Sequence, residues 1–490
     1  MQHRFFFIFT ALWCLFAAQT LLAQSLANPV SAALSGVHVG VVQDVDAFGA
    51  NPALFLPLRQ LSATNADFSL SFSIGAVGAH GGQSAFRFSD FQQYLGKANG
   101  ERRILADADL QAAASLLEGS RIAAKADAVP FAAVLQTPIG AFALGTSIQA
   151  HGGVQLPTGL SRLLAGYSAS ERLTLSFPTS AVFLTNSIHL GFAREIPLAA
   201  SDDTTATLVS VRLGGSVQYC TGNAFEELSA ARLNALPLPV RGFPTTTYDI
   251  QAEYSLTTRS AGTSLSTRRE LPQEMVKNPL QYLAGLLGAR NGQGFGVSLG
   301  GALMLRIPGS SAPAWTLAAG VNDIGGIAWN DALVADISGR DTIRTILAFA
   351  DSTFVRRFTH TRIRSEARYH SLPTTLHIGF AFDYGAYFRL ATPLVLGFQY
   401  SQGLQAVGFA TTDPRLAIGL AWENIGFMPS LRMGLSLGGQ EEVMWSGGLG
   451  WNIARNFSID AALTNLLPLL NIGRGTWFGA SLRLRGRIEW

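Results

Sequence analysis

The Gly-x-Ser-x-Gly pattern that carries acyl-transfer chemistry in many hydrolases occurs twice in this 490-residue chain, as Gly296, Ser298 and Gly300 and as Gly434, Ser436 and Gly438. In such an enzyme the serine stands on a strained turn between a strand and a helix, where its Oγ is free to attack a carbonyl. Here both copies lie inside alternating stretches, "FGVSLGGALMLRI" from Phe295 and "LRMGLSLG" from Leu431, in which Gly and Ser fill every second position. No elbow accompanies either, so the sequence points away from an enzyme. The histidines point away from a metal: His189 and His377 fall on the small-residue side of alternating stretches, with no HExxH or clustered Cys/His spacing around them. No cofactor is implied.

The charges raise a different chemistry. In "SLRLRGRIEW", Ser481 to Trp490, the apolar Leu482, Leu484, Ile488 and Trp490 alternate with Arg483, Arg485, Arg487 and Glu489. A helix would scatter these arginines around its circumference, whereas a strand lines them up on one side. The same alternation puts Arg212, Asp249, Glu253, Asp383, Glu423, Arg432 and Asp460 opposite apolar neighbours, beside the lumen histidine His377. Buried charges require partners. One arrangement is an internal ladder of Arg to Asp/Glu pairs that stiffens a wall or holds a plug, favoured by the match between guanidinium forks and carboxylates. The other is an electropositive strip that guides an anionic ligand.

What positions these residues is a set of strands. The chain is 48% hydrophobic and 14% charged, against about 25% charged in ordinary soluble proteins, and its mean hydropathy is +0.25. After the N-terminus there is no apolar run of eighteen or so residues for a spanning helix. Period-2 alternation recurs instead, in "FSLSFSIGAV" from Phe68, "SIHLGFAREI" from Ser187, "VSVRLGGSVQY" from Val209, "YDIQAEYSL" from Tyr248, "LHIGFAFDY" from Leu376 and on to the C-terminus. A soluble sandwich would turn Lys, Glu and Thr to water on the second face. Here that face is Gly, Ser and Ala, which suits the crowded inside of a closed barrel, while the Leu, Phe, Ile and Val face suits lipid. Without water in the hydrocarbon layer, only a closed ring pairs every backbone amide of a sheet.

The expected fold is therefore all-β, a single closed antiparallel transmembrane barrel over 67–490, set in the outer membrane and surrounded by its lipid. About fifteen stretches alternate, and an even strand number is required, so one of the weaker ones, near Phe131 or Arg172, is false or lacks its partner. Fourteen strands are expected, with sixteen as the alternative. Trp315, Trp422, Trp445, Trp451, Trp477 and Trp490 sit near strand ends, as interfacial girdles require. Long extracellular loops are expected after the first strand, around Glu270 to Arg290 and over Asp331 to Leu372, with a loop helix in "NPLQYLAGLLGA" from Asn278. The leading "FFFIFTALWCLFAAQTLLA", preceded by His3 and Arg4, reads as a signal peptide over 1–23. Its removal takes Cys14 and leaves Cys220 alone, so no internal disulfide framework is available. A net charge of +3 with three lysines, Lys97, Lys125 and Lys277, excludes a polybasic tract and argues against nucleic acid.

Between signal and first strand, residues 24–66 contain "VVQDVDAFGANPALF", Val41 to Phe55. Pro52 removes a donor and drives Asn51 to an extended conformation, so the chain turns here. With its Asn51, Pro52 and Ala53 element following Asp- and Ala-rich residues, this stretch resembles the N-terminal plug of FadL-like outer-membrane barrels. "GVNDIGGIAWN" from Gly320 and "RYHSLPTTLHIGF" from Arg368 are similar to segments of Bacteroidetes-type barrels of that wider group, and the terminal Trp490 resembles the signal read by the barrel assembly machinery. The resemblance implies a conduit or binding barrel for hydrophobic or amphipathic small molecules. It also implies a second class, an accessory barrel that serves proteins of a secretion system.

Overall fold

In the computed structural model, the described residues are 27–57 and, within 68–489, all but 88, 91–96, 99–100, 103–111, 113–114, 160–172, 179, 200–206, 240–247, 263–287, 311, 344–359, 391, 406–411, 424–427, 440–442, 455 and 471–475. Fourteen antiparallel strands among them close a ring. They are β1 (Ser69–Gln83), β2 (Arg121–Thr137), β3 (Gly140–Gln155), β4 (Ser180–Ala199), β5 (Leu208–Pro239), β6 (Gly292–Arg306), β7 (Trp315–Ile343), β8 (Thr375–Asp383), β9 (Leu394–Gly403), β10 (Arg415–Trp422), β11 (Ser430–Gly438), β12 (Val443–Ala454), β13 (Phe457–Thr464) and β14 (Thr476–Glu489). Each pairs with its neighbours in sequence, and β14 returns to β1 with Ile488 opposite Leu70. No sheet edge is left in the ring, as a lipid environment demands.

The alternation decides which side faces what. Leu482 is 51% exposed and the adjacent Arg483 only 3%. The same contrast runs through β10, where Leu416 and Ile418 point out and Ala417 is buried. Chain connections are short at one end of the ring, as at Thr137 to Gly140, and long at the other, as between β1 and β2. Periplasmic turns are the short ones, which places both ends of the barrel sequence on that side.

The wall is uneven. β8 to β11 have 8 to 10 residues, but β5 has 32 and β7 has 29. Beyond the ring, β5 and β7 carry three extra strands: Leu173–Phe177 on β5, Tyr248–Ala261 between β5 and β7, and His360–Ser371 on β7. Two expectations change here. Leu173–Phe177 of "RLTLSF" and the stretch "YDIQAEYSL" are strands of this outer extension and do not help close the ring, whereas Phe131 lies in β2 and does. The span from Asp331 to Leu372, expected as a loop, is strand over both its described parts, up to Ile343 and from His360. Above the membrane neither face meets lipid, so the apolar alternation that marks a strand fades.

Residues 27–57 lie inside the ring. A short helix α1 (Pro29–Ala33) starts at Asn28, whose side-chain oxygen accepts from the Val30 and Ser31 amides at 3.1 and 3.3 Å. Two single 3-10 turns follow, Asp44–Ala47 and Pro52–Phe55. Val30, Leu34, Val37, Val39, Leu54 and Phe55 are buried against inward alanines of the wall, including Ala143, Ala193, Ala302 and Ala417. Residues 1–23, residues 278–287 of the expected loop helix and Trp490 fall outside the described residues.

Candidate functional site

The small inner face has a specific use. Gly320, Gly300 and Gly214 stand side by side across β7, β6 and β5, and Gly397, Gly419 and Gly434 stand side by side across β9, β10 and β11. On the first row rests Asn51–Pro52, and on the second rest Leu34 and Val37. A Cβ at Gly419 would come within 3.0 Å of Leu34 and one at Gly397 within 2.6 Å of Val37, while one at Gly214 or Gly434 would enter the plug backbone. These glycines let one chain lie directly on another. Asn51 fixes the contact. Its Nδ2 donates to the carbonyls of Ala319 and Gly301 at 3.0 and 3.4 Å, while its Oδ1 accepts from the Ala53 amide at 2.9 Å and caps the turn that Pro52 begins.

Other inward polar groups bind the plug backbone. Asn322 donates to the Ala50 carbonyl at 2.6 Å, and Arg415 to the Ser35 carbonyl at 2.8 Å. Arg212 donates to the Leu56 and Pro57 carbonyls at 2.7 and 2.8 Å while paired with Glu195. The His38 amide donates to Gln399 at 2.7 Å, and the His38 ring lies edge-on to His377, centroids 5.4 Å apart. His377 in turn meets Thr375 and Ser401, and His189 meets Ser147 at 2.9 Å.

The charged residues form a connected ladder between plug and wall. Arg432 pairs with Glu423 at 2.6 Å and with Asp460 at 2.7 Å, and Arg483 bridges Asp460 at 2.9 Å and Asp46 at 2.5 Å. Arg485 reaches Asp46 at 3.0 Å, while Arg487 reaches Asp44 at 3.5 Å and Glu489 at 2.9 Å. Asp44 also accepts from Ser71. The carboxylates of Asp44 and Asp46 thus come from the plug, and the guanidinium groups from β14. Beside them a cavity of about 650 Å³ is lined by Gln43, Asp44, Asp383, Glu423, Arg485 and Arg487 among others. It lies under the plug at the periplasmic end. Asp383 borders it and caps the turn Tyr384–Tyr387 through the Ala386 amide at 3.0 Å.

Two expected residues lie elsewhere. Glu253 belongs to the outer extension, where it is 47% exposed and 3.9 Å from Arg340, so it does not line the barrel at the level of the plug. The backbone of Asp249 is on the same strand, with its side chain outside the described residues. Trp477, expected in the lipid girdle, is 3% exposed and stacks on His80 inside the barrel, because Phe478 occupies the outward position next to it. Trp315, Trp422, Trp445 and Trp451 do face outward. Both Gly-x-Ser-x-Gly serines sit within strands, and Ser298 accepts from the Asp323 amide at 3.1 Å.

At the other end of the lumen is a group the sequence analysis did not find. Phe183 of β4, Phe225 of β5, Trp329 of β7 and His370 of the strand His360–Ser371 pack into a collar, with ring centroids 4.6 Å apart for Phe225–Trp329, 4.8 Å for Phe225–His370 and 4.9 Å for Phe183–His370. His151 continues it at 5.2 Å from Phe183. Trp329 lies flat over Gly222 and Gly292. Above it, Glu227 gathers His370 at 3.1 Å, Arg259 at 3.4 Å and Arg368 at 3.5 Å. The alternation hides Trp329: on β7, Asn322 and Asp323 together oppose Ser298, with Asp323 at φ 59°. This bulge shifts the phase, so that Trp315 points out and Trp329, of the same parity, points in. Phe183 was legible as a large ring at an inward position otherwise held by small residues, whereas Phe225 shares the parity of the outward Val217 and Tyr219 and turns inward only past the bulge at Asn223.

A closed ring of fourteen strands, apolar without and packed within by its own N-terminal segment, defines an outer-membrane β-barrel. The chain belongs to a family of unknown function, DUF5723, whose model matches residues 62–417. It is similar in structure to the toluene transporter TodX of Pseudomonas putida, at 11% identity over 96% of this chain and 98% of that one, with a TM-score of 0.40. The toluene transporter TbuX of Ralstonia pickettii is similar at 13% identity, over 94% of this chain and 98% of that one, with a TM-score of 0.36. A FadL homologue of Pseudomonas aeruginosa is similar at 11% identity, over 96% and 100% of the two chains, with a TM-score of 0.39. No curated protein matches the chain.

Proposed function

We propose that the barrel is a conduit or binding barrel for hydrophobic or amphipathic small molecules, and that it carries out no catalysis. The observation that supports this most is the collar. A water-filled channel has a polar lumen, whereas here Phe183, Phe225 and Trp329 turn inward at the outer mouth and bury their faces on one another. Below them the plug fills the lumen, so a hydrated solute has no straight path, while an apolar one meets a matching surface. The test is reconstitution in liposomes. The barrel should fail to swell them in arabinose yet bind an apolar fluorophore saturably, and the double substitution of Phe183 and Phe225 by Ala should weaken that binding at least fivefold. Free sugar passage without saturable binding would refute the proposal.

A second reading, an accessory barrel for protein secretion, has one feature in its favour. Among the described residues the strand His360–Ser371 is paired along one edge only, and free edges recruit extended peptides. Co-purification of the intact barrel with a secreted protein would support it.

A further inference from the structure

We propose that the collar contains a binding site for a phenol, an apolar ring bearing one hydroxyl group, with Trp329 and His370 as its polar contacts. The proposal rests on the conduit reading and narrows its substrate class. Trp329 is 1% exposed, and its Nε1–H has no acceptor among the described residues. The indole nitrogen is a donor only, and buried donors are rarely left unpaired. His370 supplies the complement. Its Nε2 lies 3.1 Å from a Glu227 oxygen, and a carboxylate can only accept, so Nε2 holds the hydrogen. In the neutral ring Nδ1 is then an acceptor, and it too is buried without a partner among the described residues.

The two rings stand 6.3 Å apart at 81°, with Phe225 against both. A hydroxyl oxygen accepts from Trp329 while its proton goes to His370 Nδ1, satisfying both groups at once. A pure hydrocarbon leaves both unpaired. A carboxylate has no proton for Nδ1 and meets the negative Glu227 directly behind the imidazole. Access is through His370, which rides on a strand held along one edge, whereas Phe183, Phe225 and Trp329 stand on ring strands.

The experiment compares 4-ethylphenol with 4-ethyltoluene, a pair that differs by hydroxyl against methyl, using calorimetry on the full barrel in lipid nanodiscs. The wild type should bind the phenol at least tenfold more tightly. Trp329→Phe keeps a ring over Gly222 and Gly292 but removes the donor, so it should retain hydrocarbon affinity and lose most of the preference. His370→Leu, outside the ring, should do the same and provides the test if the Trp329 variant does not fold. Equal affinities in the wild type, or a preference that survives in the folded variants, would overturn the site while leaving the conduit reading in place. Failure of the wild type to bind either molecule would overturn both.

Discussion

The floor and the collar of this lumen close the same barrel with opposite materials. At the floor, a chain segment lies on rows of glycine and is tied by charges, Asp44 and Asp46 to the arginines of β14. At the collar, side chains meet one another directly, Phe183 and Phe225 as a cross-strand pair, and their contacts are aromatic. The difference teaches that the two closures answer to different perturbations. An ionic floor in a low-dielectric interior is expensive to break by removing one partner, because the remaining charges stay buried. An aromatic collar loses only dispersion and burial when one ring goes.

Asp460→Ala should have the largest effect, since Arg432 and Arg483 both end on it; a loss of about 4 kcal/mol is expected in urea unfolding from lipid vesicles. A loss below about 1 kcal/mol would mean that water reaches the ladder and the floor is not dry. Phe225→Ala should cost about 3 kcal/mol. Its cost should not change with salt, and a salt-dependent value would show that the Glu227 cluster and not the rings holds the collar. Gly434→Ala should cost about 2 kcal/mol by pushing a methyl against Leu34. Protease cleavage within 27–57 of the otherwise folded barrel would report the released plug. The smallest effect is expected from Arg364→Ala, whose pair with Asp336 is half exposed on the outer extension. Less than about 1 kcal/mol is anticipated, and a larger figure would show that the tall wall supports the collar.

The ring itself was legible in the sequence because lipid on one side and a packed interior on the other impose a strict period of two, visible from Phe68 to Glu489. The inward placement of Arg212, Arg432, Asp460 and Arg483 to Arg487 followed from the same parity. Where the environments of the two faces converge, above the membrane, the signal is lost, and parity alone places Glu253 in a lumen that it does not line. Parity also fails across a bulge, which is why Trp329 went unseen. The rows of glycine could be counted but not understood, since what presses on them is a segment more than 150 residues away in the chain.

The bulge at Asn322–Asp323 has a further consequence. It acts as a phase changer within one continuous strand, allowing β7 to present Leu317 and Val321 to lipid and then Ile327 and Trp329 to the interior. Deleting a single residue there would exchange the two faces of everything that follows up to the next irregularity, turning the indole toward acyl chains and disassembling the outer closure without touching a contact in it.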